Sequence, residues 1–308
     1  MKPEILLIEP MMAEIEDALR SAYIVHPYDG AADPSRYAKT IRGIATGGGT
    51  GVPRAVMDSL PALEIIAING IGTDAVDLKE AARRSIAVTT TPGVLTDDVA
   101  DLALAFILAA MRDLLAGDRF VRDGQWGKGT LPLAHTATGR RLGILGMGQV
   151  GRAVARRARG FDMSIAYHDL KDFGIEGATY VPSLVELARQ SDILVIAASG
   201  GPQSRHIVNR DIMEALGPQG LLVNVARGSV VDEDALVAAL RDGTLGKAAL
   251  DVFEHEPNVP PALWSMGNIV LQPHRASATV ETRLRMGQLV VDNLAAHFAG
   301  QPLLTQVR

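Results

Sequence analysis

The chain reads as an α/β protein with parallel sheets in two successive units, and three observations carry that reading. Short apolar runs alternate with helical patterns along its length. The run Gly146-Met147-Gly148-Gln149-Val150-Gly151 stands between one such apolar run and a helical pattern. The alternation is broken by a polar, glycine-rich stretch over 122–140 and then resumes.

In the first unit the spacing predicts strands over 5–8, 43–46, 63–68 and 86–89, separated by helices over 12–21, 54–60 and 75–84. The unit ends near Pro92-Gly93. A long amphipathic helix follows, its apolar face made of Val99, Leu102, Ala103, Phe106, Ile107, Ala110 and Leu114. In the second unit Arg141–Leu145 predicts a buried strand, and Gln149–Ala158 a helix with Val150, Ala153, Val154 and Ala158 on one face. Further strands are expected over 163–167, 193–197, 220–225, 247–252 and Ile269–Leu271. A last helix over 278–298 is long enough to return to the first unit. Two α/β layers joined by two helical crossings would leave a cleft between them, where ligands usually bind.

Composition narrows the function. At 308 residues and 47% hydrophobic, the chain fits about two domains with ample core for both. A net charge of -5 without a basic run argues against nucleic acid as a partner, and small acidic ligands would need a local cationic pocket. The absence of cysteine excludes disulfides, thiolate metal sites and cysteine nucleophiles, and suits a reducing cytoplasm. No metal site is supported. Glu4, Glu9 and Glu14 interrupt the first apolar stretch, so no signal peptide is expected. The longest apolar run, 102–111, falls short of the roughly 20 residues that span a bilayer, so no membrane partner is expected either.

The glycine run has the setting that dinucleotide binding needs: strand, tight turn, helix. Gly146 would allow the turn, Gly148 would let the backbone approach a pyrophosphate, and Gly151 would let helix and strand pack closely. The phosphates would rest on backbone N–H groups at the positive end of the helix. The next strand leads to Asp169, near the spacing of about 20 residues expected for the carboxylate that binds the adenosine ribose. Asp169 favours NAD over NADP, while the neighbouring Lys171 could accommodate the extra phosphate of NADP.

Several motifs in order then carry a family resemblance over nearly the whole length. They are Asn69-Gly70-Ile71-Gly72-Thr73-Asp74, TPGVLTDDVADLAL from Thr91, GMGQVG from Gly146, NVARGSVVDEDAL from Asn224, ALDVFEHEP from Ala249 and QPHRASATVETR from Gln272. The chain resembles the D-isomer-specific 2-hydroxyacid dehydrogenases, most of all the bacterial glyoxylate/hydroxypyruvate reductases. The resemblance implies two doubly wound parallel-sheet domains. A Rossmann dinucleotide domain over 97–288 would be inserted into a flavodoxin-like substrate domain over 1–96 and 289–308. It also implies a homodimer built around the long helix after TPGVLTDD, and Arg227, Glu256 and His274 as catalytic residues. Backbone N–H groups of Ile71 and Gly72 would bind the substrate carboxylate. Thr96 would lie near the nicotinamide and Asp251 near its carboxamide, with Ala226 and His274 also against the cofactor.

The chemistry agrees with these roles. Hydride reduction of a 2-keto acid builds negative charge on the carbonyl oxygen, so the site needs a carboxylate anchor, an oxyanion stabiliser and a proton donor. Arg227 follows one predicted strand and His274 another, at the carboxyl edge where open α/β sheets bind ligands. A guanidinium fits a carboxylate with two parallel hydrogen bonds. An imidazole can give the proton in reduction and take it in oxidation. Glu256 would hold the other imidazole nitrogen and favour the protonated ring, with Glu254 the competing acid in the same motif. His26, His135, His168, His206, His255 and His297 lack such a setting, His255 being the nearest competitor.

Some positions admit more than one reading. The loop Thr46-Gly47-Gly48-Gly49 ends a strand much as Gly70-Ile71-Gly72 does, and Gly48 would close over the substrate. Trp126 and Leu131-Pro132-Leu133 either reach a partner subunit's site or anchor in a core. Arg275 stands where relatives carry a small or aliphatic residue; it lowers the proton affinity of His274, binds an anion or faces solvent. The expected function is reduction of a small 2-keto acid, glyoxylate or hydroxypyruvate first. The alternatives are a bulkier 2-keto acid, 3-phosphoglycerate, or a dinucleotide-gated binding protein of the same fold, whose usual extra tails are not expected here.

Overall fold

The computed structural model describes residues 2–28, 30 and 34–307. It divides into two compact units, Met1–Leu95 with Ala278–Arg308, and Thr96–Ser277.

The first unit contains β1 (Glu4–Leu7), α1 (Ala13–Ala22), β2 (Ile24–Pro27), β3 (Ile41–Gly47), α2 (Arg54–Ser59), β4 (Ile65–Asn69), α3 (Leu78–Arg83) and β5 (Ala87–Thr89). Its strands are all parallel, in the order β2-β1-β3-β4-β5, which is the flavodoxin-like arrangement. Side chains alternate between the faces. Leu6, Ile44, Ile66 and Ile68 pack with Val56, Met57 and Leu60 on one side. Ile5, Leu7, Ala45, Ile65 and Ala67 pack with Ile15 and Leu19 on the other. Because both faces are covered, β4 is buried along its whole length, which is why it reads as an unbroken apolar run. Strand β2 was not expected: it is a four-residue edge strand with exposed ends, too short and too wet to leave an apolar signature.

The second unit opens with α4 (Thr96–Met111) and α5 (Leu114–Arg122). It continues through β6 (Arg141–Leu145), α6 (Gln149–Ala158), β7 (Ser164–His168), β8 (Thr179–Tyr180), α7 (Leu184–Arg189) and β9 (Ile193–Ile196). It closes with α8 (Arg210–Leu216), β10 (Leu221–Asn224), α9 (Glu233–Asp242), β11 (Lys247–Leu250), α10 (Pro261–Trp264) and β12 (Ile269–Leu271). The parallel order β8-β7-β6-β9-β10-β11 is the Rossmann order, extended at one edge by β12. One face is closed by α7, α8 and α9 through Leu187, Met213, Leu236 and Ala239. Helix α4 packs on α6, β10 and β11.

Three expectations are corrected here. Leu114 does not extend the buried face of α4. The helix stops at Met111, where Lys247 Nζ donates to the Ala110 carbonyl (2.8 Å) and to Asp113 Oδ1 (2.5 Å), a cation at a helix carboxyl end. Leu114 then starts a separate helix and is 55% exposed. Trp126 is 80% exposed, which removes the reading of a core anchor. The return to the first unit comes at Ala278 rather than at 289, because α11 (Val280–Phe298) joins that unit from its first turns. Leu284, well before 289, already packs against the cluster of Ile5, Ile15 and Leu19, as do Val290 and Leu294 further on. Among the described residues no helix is long and apolar enough to cross a membrane.

Candidate active site

Strand β10 ends in Asn224, a polar residue only 1% exposed. Its amide is fully used: Oδ1 accepts the Ala226 N–H at 3.0 Å and Nδ2 donates to the Arg227 carbonyl at 2.9 Å. This clamp fixes the turn that carries Arg227, whose Nη1 donates to the Ala226 carbonyl at 2.7 Å. Gly228 follows because nothing larger fits. A Cβ there would overlap the backbone of Phe253 and Glu254, so the Arg227 turn lies directly on the loop after β11.

That loop is tied in turn by Asp251, 1% exposed. Its carbonyl accepts the His274 N–H at 2.7 Å, and its carboxylate accepts Arg275 N–H at 2.7 Å and Ala276 N–H at 2.9 Å. Burial pushes the Asp251 carboxyl up, against these two backbone bonds and the nearby His274, which pull it down. Three residues in a row after β12 are therefore held by one residue after β11. His274 takes a left-handed backbone conformation, φ 50°.

The result is an acid–base pair. His274 Nδ1 donates to Glu256 Oε2 at 2.7 Å, while Glu256 Oε1 accepts the Phe253 N–H at 3.0 Å. Burial pushes the Glu256 carboxyl up, but the His274 and Phe253 bonds and the charges of His274 and Arg227 outweigh it and hold the group below its ordinary value. The influence of Arg227 on Glu256 places all three expected catalytic residues in one neighbourhood. Glu254 is excluded as the partner of His274. Its Oε1 accepts from Arg205 Nη2 (2.6 Å) and His206 Nε2 (2.8 Å). Among the other histidines, His26 pairs with Glu4, His297 with Glu64, and His168 Nδ1 bonds the Val181 carbonyl. Arg275 is exposed, and its guanidinium has no hydrogen-bond partner among the described residues.

The glycine turn fits a dinucleotide. Gly146 has φ 93° and its missing Cβ would lie 2.6 Å from Ala198; a Cβ on Gly151 would overlap the Gly146 carbonyl. Both are required by the protein's own packing. Gly148, by contrast, has no protein atom within 4 Å of its missing Cβ, leaving open space in front of the turn where a pyrophosphate can approach. Behind it α6 begins, and Gln149, Val150 and Gly151 offer N–H groups with no acceptor among the described residues. Met147 differs: its side chain is buried and its N–H donates to Asp169 Oδ2 at 2.7 Å. Thr96, at the start of α4, donates to Gln149 Oε1 at 3.3 Å and so stands beside the same helix start.

In the first unit two glycine loops meet after β3 and β4. An added Cβ on Gly48 would sit 3.5 Å from both Gly70 Cα and Gly72 N, and one on Gly70 would lie 3.1 Å from Gly48. Thr46 is buried and its hydroxyl donates to the Gly51 carbonyl at 2.6 Å, closing the first loop. Thr91 N–H donates to the Gly70 carbonyl at 2.8 Å, closing the second and leaving Ile71 exposed.

Sequence reasoning missed Asn224 and Gly228 as supports of Arg227, and the role of Asp251 in holding the His274 loop. An Asn ending a buried strand was the available signal, since a buried amide is costly unless bonded. The two shape and contact partners leave no trace in the sequence.

A Rossmann sheet with an open glycine turn, together with a histidine–carboxylate pair beside an arginine, defines a dinucleotide-dependent oxidoreductase. The model of the D-isomer specific 2-hydroxyacid dehydrogenase NAD binding domain matches residues 104–276. The chain is 47% identical over 306 residues to a 2-ketogluconate reductase of Gluconobacter oxydans, covering 99% of each. It is 43% identical over 307 residues to a glyoxylate/hydroxypyruvate reductase of Arabidopsis thaliana, covering 98% of each. Its fold is similar to the crystal structure of the NADPH-dependent glyoxylate/hydroxypyruvate reductase of Sinorhizobium meliloti in complex with NADP and malonate. That match has a TM-score of 0.94 at 43% identity, over 100% of this chain and 97% of the other. The chain belongs to the D-isomer specific 2-hydroxyacid dehydrogenase family.

Proposed function

We propose that this protein reduces small 2-keto acids, glyoxylate and hydroxypyruvate first, to the D-2-hydroxy acid with NAD(P)H, acting as a cytoplasmic homodimer. The observation that carries the reading is the 2.7 Å His274–Glu256 pair, whose carboxyl is held below its ordinary value, against burial, by the His274 and Phe253 bonds, with the charge of Arg227 adding to the effect.

Bound NAD(P)H would supply a hydride to the keto carbon. His274, with Nδ1 engaged by Glu256, presents Nε2 and gives its proton to the keto oxygen, so that ketone, hydride and proton balance to the alcohol. Glu256 stabilises the protonated ring and fixes its orientation. Arg227 binds the substrate carboxylate and polarises the adjacent carbonyl. In the first unit the Ile71 and Gly72 N–H groups, with the Gly48 loop beside them, form an anion-binding element of their own, suited to a carboxylate. The cofactor's pyrophosphate is assigned to the N–H groups of Gln149, Val150 and Gly151 over Gly148, its ribose to Asp169. Thr96, Ala226, Asp251 and His274 are assigned to the nicotinamide end. The 2-ketogluconate reductase relative keeps a longer hydroxylated acid as the second substrate class.

The test follows oxidation of NADH and NADPH with glyoxylate, hydroxypyruvate, 2-ketogluconate and phenylpyruvate, beside a His274→Ala control. Turnover that depends on His274 supports the reductase. Tight cofactor binding with no turnover on any keto acid would replace it with the binding-protein reading.

A further inference from the structure

Two histidine–carboxylate pairs lie two residues apart on the loop after β11. Glu256 engages His274, while Glu254 Oε1 accepts from His206 Nε2 at 2.8 Å and from Arg205 Nη2 at 2.6 Å. They differ in access: the Glu254 side chain is 9% exposed and that of Glu256 31%. A carboxylate buried under two side-chain donors is suited to holding chain in place rather than to meeting a substrate. Arg205 and His206 belong to the segment between β9 and α8, which is laced to the chain just past Arg227. His206 N–H donates to the Ser229 carbonyl at 2.9 Å, Val208 N–H to the Val230 carbonyl at 3.0 Å, and Asp232 N–H to the Val208 carbonyl at 3.0 Å. The His206 backbone is left-handed, φ 52°, a conformation that a residue with a Cβ holds only where its surroundings fix it. On the other side, Glu254 adjoins Phe253, whose N–H donates to Glu256 Oε1 at 3.0 Å, and Glu256 Oε2 accepts from His274 Nδ1 at 2.7 Å. A continuous path therefore runs from the segment after β9 through Glu254 and Phe253 to the His274 ring.

We infer that Glu254, gripped by Arg205 and His206, is a positioning residue for proton transfer: it fixes the loop on which Glu256 meets His274. This role rests on the proposed reduction, in which His274 is the proton donor. Glu256 has one backbone bond of its own, so its aim at the ring follows the loop. The Arg227 turn has a separate clamp in Asn224. Loss of the Glu254 grip should therefore fall on the chemical step more than on substrate binding. The titratable and charged groups around Glu254 are Arg205, His206 and Glu233, with His255 and Asp234 acting on Glu233; those around Glu256 are His274, Arg227 and Asp251.

The experiment measures kcat and KM against pH for the full-length parent, Glu254→Gln, Arg205→Met, His206→Ala and His206→Gln, with glyoxylate or hydroxypyruvate and saturating NADH or NADPH. Glu254→Gln is expected to lower kcat about tenfold and leave KM for the keto acid within about threefold, since a shift on the order of an ångström at reacting groups costs up to about 10²-fold. The alkaline limb of kcat should move to lower pH, because reduction needs the protonated ring and a displaced Glu256 stabilises it less. Arg205→Met carries the sharper sign. Loss of a cation would by charge alone favour a protonated His274 and move that limb to higher pH, whereas loss of the grip moves it lower. The Arg205 side chain is 55% exposed, so this variant reads the effect even where a change at buried Glu254 disturbs folding. His206→Ala should share the defect, and His206→Gln, whose amide N–H has about the reach of Nε2, should recover most of it. Parent-like kcat and pH profiles in these variants, with or without a lowered Tm, overturn the inference and leave the reductase standing; so does a limb that moves to higher pH in Arg205→Met. A parent protein without His274-dependent turnover overturns the reading beneath it.

Discussion

At the carboxyl ends of β10, β11 and β12 the second unit displays charged side chains, Arg227, Glu256 and His274, each hydrogen-bonded to a neighbour. At the carboxyl ends of β3 and β4 the first unit displays backbone instead, two glycine loops in mutual contact. The same layered architecture thus supports two kinds of edge. On the proposed function, the first edge moves a proton through ionising groups and the second recognises an anion through backbone amides. The first should be sensitive to the identity of a functional group, the second to bulk.

The largest effect expected from this contrast is at His274. Replacement by Ala should lower kcat about 10²- to 10⁴-fold, the range for losing a general acid, with a smaller change in KM. Unaltered kcat in stopped-flow assays would remove the proton-transfer role. Next comes Gly228→Ala, which forces the Arg227 turn off the Phe253–Glu254 backbone. We expect a loss of about 1–3 kcal/mol in chemical denaturation together with reduced kcat/KM. A variant as stable and active as the parent would show that the two loops need not touch. In the first unit, Gly48→Ala adds a methyl at ordinary contact distance, 3.5 Å from Gly70 and Gly72. It should raise KM for the keto acid about three- to tenfold and leave kcat and folding alone; a kcat defect would assign this loop a part in the chemistry.

The smallest effect separates the active pair from a buried carboxylate nearby. Burial raises Glu233 above its ordinary value, with Glu254 adding repulsion, although the Glu254 N–H bond and the charge of His255 pull it down. Because the folded state holds that proton more tightly than the unfolded chain, the contribution of Glu233 is fully present below the ordinary value of 4.5 and is lost as pH rises through the raised folded value. Glu233→Gln should therefore match the parent at acid pH and gain on it towards neutrality. The gain in Tm is expected to stay under about 2 °C, roughly the shift that about 1 kcal/mol brings at about 2.1 cal/mol/K of unfolding entropy per residue over 308 residues. Tm followed from pH 4 to 8 in both proteins reads the sign directly.

Much of this arrangement was legible in the sequence where local rules decide. Strand β6, helix α6 and strand β12 fall where the apolar runs and the helical period place them, and the glycine turn between β6 and α6 announces its own conformation. Arg227, Glu256 and His274 were legible as ends of runs and as motif positions, but their convergence was not. The choice of Glu256 over Glu254 is made in space, by Arg205 and His206 taking the latter. Strand β8 escaped notice for the same reason as β2, being two residues at a sheet edge. The end of α4 was misplaced because Lys247, far along the chain, caps it. Local pattern sets elements; distant partners set where they stop and which side chains remain for chemistry.

The backbone of His274 has a further consequence. A left-handed conformation at a residue with a Cβ costs roughly 1–2 kcal/mol, and here the conformation is held by the amide bonds that Asp251 makes through His274, Arg275 and Ala276. Only glycine would occupy that position without strain. The most comfortable residue for the fold at 274 is thus one that cannot carry a proton. On the proposed mechanism, stability and turnover make opposite demands on this single site.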